Sequence, residues 1–163
     1  MNQSIPTRGR LLAIDWGEVR IGLALSDESQ SLASPLETLH RRRGKRFPLA
    51  RFLDLVSAHQ PVGLVVGLPL SGEGKEESSA ASARELAAML GERTGLPLEL
   101  WDERMSTARA LASVREQGGS TRGRKGDVDA LAAAVLLQHF LEARRKGAEG
   151  AVRAEEAEGA EKE

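Results

Sequence analysis

The sequence predicts a mixed α/β fold: a five-stranded sheet, three antiparallel strands followed by parallel ones, with helices on both faces. Three observations carry this. Two apolar runs, Leu11–Ile14 and Ile21–Leu25, are joined through Asp15 and a turn around Gly17, the signature of an antiparallel hairpin. Val62–Leu68 is continuously apolar, as a strand covered on both faces must be. Beyond His40, strand-like and helix-like stretches alternate, which calls for crossover connections.

Taken in order, residues 1–9 read as a disordered lead-in. Strands are predicted at about 10–16, 19–26 and 33–39, the last including Pro35. The segment His40-Arg41-Arg42-Arg43-Gly44-Lys45-Arg46 holds five of the chain's cations in seven residues. It is either a solvated turn or a loop that contacts phosphates. A helix over 47–60 follows from Phe52, Leu55, Val56 and His59 at helical spacing, stopped by Pro61. After the apolar strand and a loop from Pro69 to Gly74, a helix is predicted over 75–93, with Ala83, Leu86 and Leu90 on one stripe. Leu96–Trp101 reads as a strand that delivers Asp102 and Glu103. A helix over 105–116 and a basic loop over 118–126 come next. The last helix, about 127–145, has Asp127 as its N-cap. From Gly147 the composition is that of a disordered, solvated tail. The domain is therefore expected to span 10–146.

Composition narrows the function. The 163 residues carry no cysteine, which excludes disulfides and thiolate metal sites. No signal peptide or membrane-length apolar run is read, so a cytoplasmic protein without membrane partners is expected. The net charge of −1 conceals an asymmetry. Residues 147–163 carry six Glu against Arg153 and Lys162, a net of −4, and the remainder carries 21 basic and 18 acidic residues, a net of +3.

Four acids fall at element ends: Asp15, Asp102, Glu103 and Asp129. Ligand sites in open α/β sheets form at the carboxyl ends of the parallel strands. Asp129 shares a helix face with Ala132, Leu136 and Phe140, an unusual place for an acid. The helix dipole returns only ~0.3–1 kcal/mol to a carboxylate near a helix start, less than the several kcal/mol its desolvation costs. A partner is implied. Carboxylates converging without Cys and with few His suit hard cations such as Mg2+ or Mn2+, and two such ions about 4 Å apart can act on a phosphodiester. Each acid also has a plainer reading. Asp15 could be a turn acid, one of Asp102 and Glu103 a partner of Arg104, and Asp129 a structural ion pair. The three histidines, His40, His59 and His139, are scattered and read as non-catalytic, and Trp16 and Trp101 read as packing residues.

Four blocks then resemble one family. Asp15-Trp-Gly-Glu-Val-Arg-Ile-Gly-Leu-Ala-Leu-Ser-Asp27 is similar to the opening motif of the YqgF/RuvX family. Val65–Leu70 with Gly72 and Gly74, Asp102-Glu-Arg-Met-Ser-Thr107 and Val128–Leu141 are similar to its later blocks, in order, over about residues 10–142. The resemblance implies a ribonuclease H-like fold akin to the RuvC resolvases and a metal-dependent endonuclease that processes the 5′ end of pre-16S rRNA. Two alternatives stand beside it: a Holliday junction resolvase acting on branched DNA, and a non-catalytic nucleic-acid-binding factor in ribosome assembly.

The resemblance also assigns residues. Asp15, Glu103 and Asp129 are the implied catalytic residues, with Asp102 also among the candidate metal ligands for Mg2+ or Mn2+. Because Gly67 stands where RuvC-type enzymes carry a glutamate, the resemblance moves the middle acid to the pair after the next strand, of which Glu103 is preferred to Asp102. Where the family usually has a small residue or Pro after the first acid, this chain has Trp16. Arg20, Arg41, Arg42, Arg43, Lys45, Arg46, Arg104, Arg122, Arg124 and Lys125 are the expected nucleic-acid contacts. The implied partners are structured RNA or branched DNA and a ribosome precursor, met by a monomer or homodimer.

Overall fold

The computed structural model describes residues 4–16, 20–41, 46–68, 76–102 and 125–161. Strands β1 (Leu11–Asp15), β2 (Arg20–Ser26) and β3 (Ala33–His40) precede helix α1 (Leu49–His59). They are followed by β4 (Gly63–Leu68), α2 (Glu76–Thr94), β5 (Leu98–Asp102) and α3 (Lys125–Glu161). The sheet order is β3-β2-β1-β4-β5. The first three strands are antiparallel, and β4 and β5 run parallel to β1. The predicted mixed sheet of five strands is thus present. The helix expected over 105–116 and the basic loop lie outside the described residues.

The period-two alternation of the strands divides the core into two layers. Leu12 and Ile14 of β1, Leu23 of β2 and Leu64 and Val66 of β4 face α1 and α2, where Phe52, Leu55, Leu86 and Leu90 meet them. Leu11 and Ala13 of β1, Ala24 of β2 and Val65 of β4 face α3, where Ala133, Leu137 and Phe140 cover them. A run such as Leu64-Val65-Val66, fully buried on both faces, needs helices on either side, and each side chain so buried contributes about 1.5–3 kcal/mol.

Three expectations change. The lead-in is pinned rather than loose from residue 4 onward. Ile5 is buried in the α3 layer, Gln30 donates to the carbonyls of Pro6 and Gly9, and Arg144 donates to the carbonyl of Ile5. The final helix begins at Lys125, so Asp127 lies inside it instead of capping it, and it continues to Glu161. The Ala- and Glu-rich composition that denies residues 147–163 a core also favours helix. The inward stripe of α3 runs through Ala130, Ala133, Leu137 and Leu141 as well as Leu136 and Phe140, while Ala132 is exposed.

The turn between β2 and β3 is built by polar groups. The Asp27 carboxylate accepts hydrogen bonds from the amides of Ser31 and Leu32 and from the Ser29 hydroxyl. Burial pushes this carboxyl up, but those donors together pull it below the usual carboxylate range. Ser26 accepts from the Leu11 amide, and Gln138 of α3 accepts from the Ala33 amide and donates to the Ser31 carbonyl. Among the described residues, no helix is long and apolar enough to cross a membrane.

Candidate active site

Asp15 is the last residue of β1, half-buried, and the alternation that turns Leu11 and Ala13 toward α3 turns it the same way. Its cross-strand partner is Gly22. A Cβ at Gly22 would lie 1.9 Å from the backbone oxygen of Asp129 and 2.4 Å from its carbonyl carbon. The first turns of α3 therefore rest directly on bare strand, and only glycine permits it. Directly opposed residues in an antiparallel pair have Cα atoms about 4.5–5.5 Å apart. Gly22 thus brings the backbone of Asp129 beside Asp15, although 114 positions separate the two acids in sequence.

Arg20 lies two residues before Gly22 on the same face of β2. Its Nε is 3.1 Å from Oδ2 of Asp129, with side-chain exposures of 42% and 27%. That Oδ2 is buried and receives no hydrogen bond: the guanidinium is a charge neighbour whose N–H does not point at it. A buried carboxylate oxygen left without a donor is costly. A cation seated between Asp129 and Asp15 would satisfy it, and hard oxygens are the donors Mg2+ and Mn2+ take. The residues present fit such an ion. Among the described residues no group of three or more acids or histidines converges to hold a metal. Mg2+ commonly uses one or two carboxylates and completes its shell with water and substrate phosphate.

The other candidates divide. Asp102 ends β5 opposite Leu68, at the same carboxyl end of the sheet as Asp15. The pleat sends it the other way, however. Leu98 and Leu100 pack into the α1/α2 layer and Trp101 into the α3 layer, so Asp102 falls on the face away from Asp15 and Asp129. Glu103, Arg104, Arg42, Arg43, Lys45, Arg122 and Arg124 lie outside the described residues, as does the side chain of Lys125. Arg46 is exposed. The Arg41 guanidinium carbon sits 4.1 Å above the Trp16 ring, and Trp16 packs on Phe47, which packs edge-on against Phe52. Trp16 thus lies on the α1 side of the sheet and packs there, while Asp15 faces α3. Trp101 is also a packing residue: it stacks edge-on against Phe140 and donates from Nε1 to Nδ1 of His139, 3.0 Å away. Burial lowers the pKa of His139 below its ordinary value, with Glu142 pulling it up and Lys146 down, which suits the neutral acceptor.

Sequence reasoning missed Gly22. Its signal is only partial, because an isolated glycine inside a strand pattern suggests either a bulge or a close backbone approach.

Comparisons with known proteins bear on the family and the fold. The sequence pattern of RuvX, described as a Holliday junction resolvase, matches residues 9–143. A protein of Rhodopirellula baltica named "Putative pre-16S rRNA nuclease" is 45% identical over 141 residues, covering 86% of this chain and 80% of its own. A protein of the same name from an Anaeromyxobacter species is 45% identical over 135 residues, covering 83% and 98%. Among solved structures, Thermus thermophilus RuvC in complex with a Holliday junction substrate superposes with a TM-score of 0.58 at 20% identity, covering 83% of this chain and 96% of that one. The yeast mitochondrial Holliday junction resolvase Ydc2 superposes at 0.53 with 11% identity, covering 85% and 80%. These two establish the fold, the ribonuclease H-like fold of the resolvases.

Proposed function

This chain belongs to the RuvX family, and from that premise we propose that it is a divalent-metal-dependent nuclease that hydrolyses phosphodiester bonds and processes the 5′ end of pre-16S rRNA. The observation that carries the reading is the seating of the Asp129 backbone on Gly22, the cross-strand partner of Asp15, with the Asp129 Oδ2 buried and undonated. Asp15 and Asp129 would hold Mg2+ or Mn2+. Such ions, when bound, activate the attacking water and stabilise the leaving oxygen of the phosphodiester.

The chain's own residues supply the rest. Gly22 lets the backbone of Asp129 close on β2 opposite Asp15. Asp102 faces away from Asp15 and Asp129, and Glu103 is kept as the middle acid on the family resemblance. Arg41, Arg42, Arg43, Lys45 and Arg46, together with Arg104, Arg122, Arg124 and Lys125, would neutralise flanking phosphates. The rRNA substrate rests on relatives 45% identical over most of the chain. The description of the family pattern favours a second reading, cleavage of branched DNA at a four-way junction. Cytoplasmic residence and action on a ribosome precursor follow from the rRNA reading.

The test offers purified protein a pre-16S rRNA 5′ segment and a four-way DNA junction, with Mg2+ and with Mn2+. Wild type is expected to cleave the RNA only with a divalent ion. Asp15→Asn and Asp129→Asn should each lower the rate at least a hundredfold with the circular dichroism spectrum unchanged. Undiminished cleavage by a folded Asp15→Asn protein would sink the nuclease reading, and cleavage of the junction alone would exchange the substrate for the second one.

A further inference from the structure

Arg20 is paired in charge with Asp129, and its chemistry suits a second task. Its Nε lies 3.1 Å from Oδ2 without donating to it, and the side chain is 42% exposed. The grip is therefore weak, since an ion pair this exposed is worth about 0–1 kcal/mol, and it is easily exchanged. The oxygen that Arg20 neutralises is the one a divalent ion needs. A guanidinium and a dication cannot both occupy that approach at low cost, because their charges repel. An arginine released beside two acids and a bound ion would stand at the place a substrate phosphate must come to, and guanidinium forks bind phosphate well.

Resting on the metal-dependent reading above, we infer that Arg20 is an exchangeable positioning residue. It occupies Asp129 until a divalent cation binds, and is then free to take a phosphate of the nucleic acid. The consequence is a coupling between ligands. Cation binding and nucleic-acid binding each release the group that the other needs, so each strengthens the other by the same factor. Arg20 therefore weakens cation binding in the absence of substrate and strengthens substrate binding only in the presence of cation.

Two measurements on the full chain test this without any turnover. The first is calorimetric titration with Mn2+ in the absence of nucleic acid. Arg20→Gln should bind Mn2+ about twofold to fivefold more tightly than wild type, the range set by the weakness of exposed pairs. Arg20→Lys, which retains the charge, should stay near wild type. In an Asp129→Asn background the Arg20→Gln gain should vanish, whereas a general field effect on an ion at Asp15 would persist. The second is fluorescence anisotropy of a labelled structured RNA across a salt series, with Ca2+ and with chelator. With Ca2+, Arg20→Gln should weaken binding several-fold and lower the salt slope by about one. With chelator, it should bind as wild type does.

Equal or weaker Mn2+ binding by Arg20→Gln, or the same RNA penalty with and without cation, would overturn the inference while leaving the nuclease reading intact. Failure of the wild type to bind Mn2+ at all would overturn both.

Discussion

The approach of α3 to β2 is decided at Gly22. A Cβ there would meet backbone, the Asp129 carbonyl at 1.9 Å, and backbone cannot rotate aside as a side chain can. At Gly63 the same atom would meet only the side chains of Ile5 and Leu11, at 3.0–3.3 Å. Gly22→Ala is therefore expected to lift the start of α3 and cost about 1–3 kcal/mol, the usual cost of overpacking. For a protein of this size that lowers the melting temperature by roughly 2–4 °C per kcal/mol. Gly63→Ala should cost less. Because Gly22→Ala also moves Asp129 away from Asp15, its Mn2+ affinity should fall with its melting temperature, and calorimetry on the two variants checks both. The acids were readable from sequence because an acid ending an apolar strand, or on the inward stripe of an apolar helix, conflicts with its surroundings. Gly22 was not, because a strand glycine has several explanations and only tertiary contact selects one. Between the adjoining Asp102 and Glu103 only the family resemblance offers a preference, and only Asp102 lies among the described residues.

Among the elements, the strands were the most legible. Apolar alternation, and its absence in β4, follow directly from how many faces of the sheet are covered. Helix α1 was nearly as clear. What sequence could not supply was the surroundings of the basic segment. The Arg41 guanidinium is held on the outer ring of a ladder that runs from buried Phe52 through Phe47 to Trp16, so β1 and the start of the basic segment are mechanically linked. A cation over an indole gains about 0.5–2 kcal/mol. If Trp16 orients Arg41 toward phosphate, Trp16→Ala and Arg41→Gln should each weaken RNA binding, and the double variant should be no weaker than the worse single one, which is the mark of coupled residues. Trp16→Phe should retain most of the affinity. Additive losses across this cycle, measured by anisotropy, would mean that Trp16 serves only the core.

Over the whole molecule, the length of α3 exceeds what the sheet can support. Its 37 residues extend about 55 Å at 1.5 Å per residue, while the seven residues of β2 extend only about 23 Å. Among the residues whose side chains are described, its buried core contacts end at Leu141, and Arg144 makes its hydrogen bonds to Ile5, Pro6 and Gln30 just beyond. The part ending near residue 147 is therefore expected to carry the stability, and the charge beyond it to act on a nucleic-acid partner. Removing 148–163 changes the net charge from −1 to +3 and takes away an acidic segment that repels phosphates through the solvent. Screening confines that repulsion to about 10 Å at 0.1 M salt. The shortened chain should melt within about 1 °C of the full one, as expected for residues outside a packed core. Its RNA affinity should rise several-fold at low salt and converge with that of the full chain as salt increases. A gain that persisted at high salt would mean that the tail covers the RNA-binding face by contact, and a large loss of melting temperature would mean that the last turns of α3 belong to the fold.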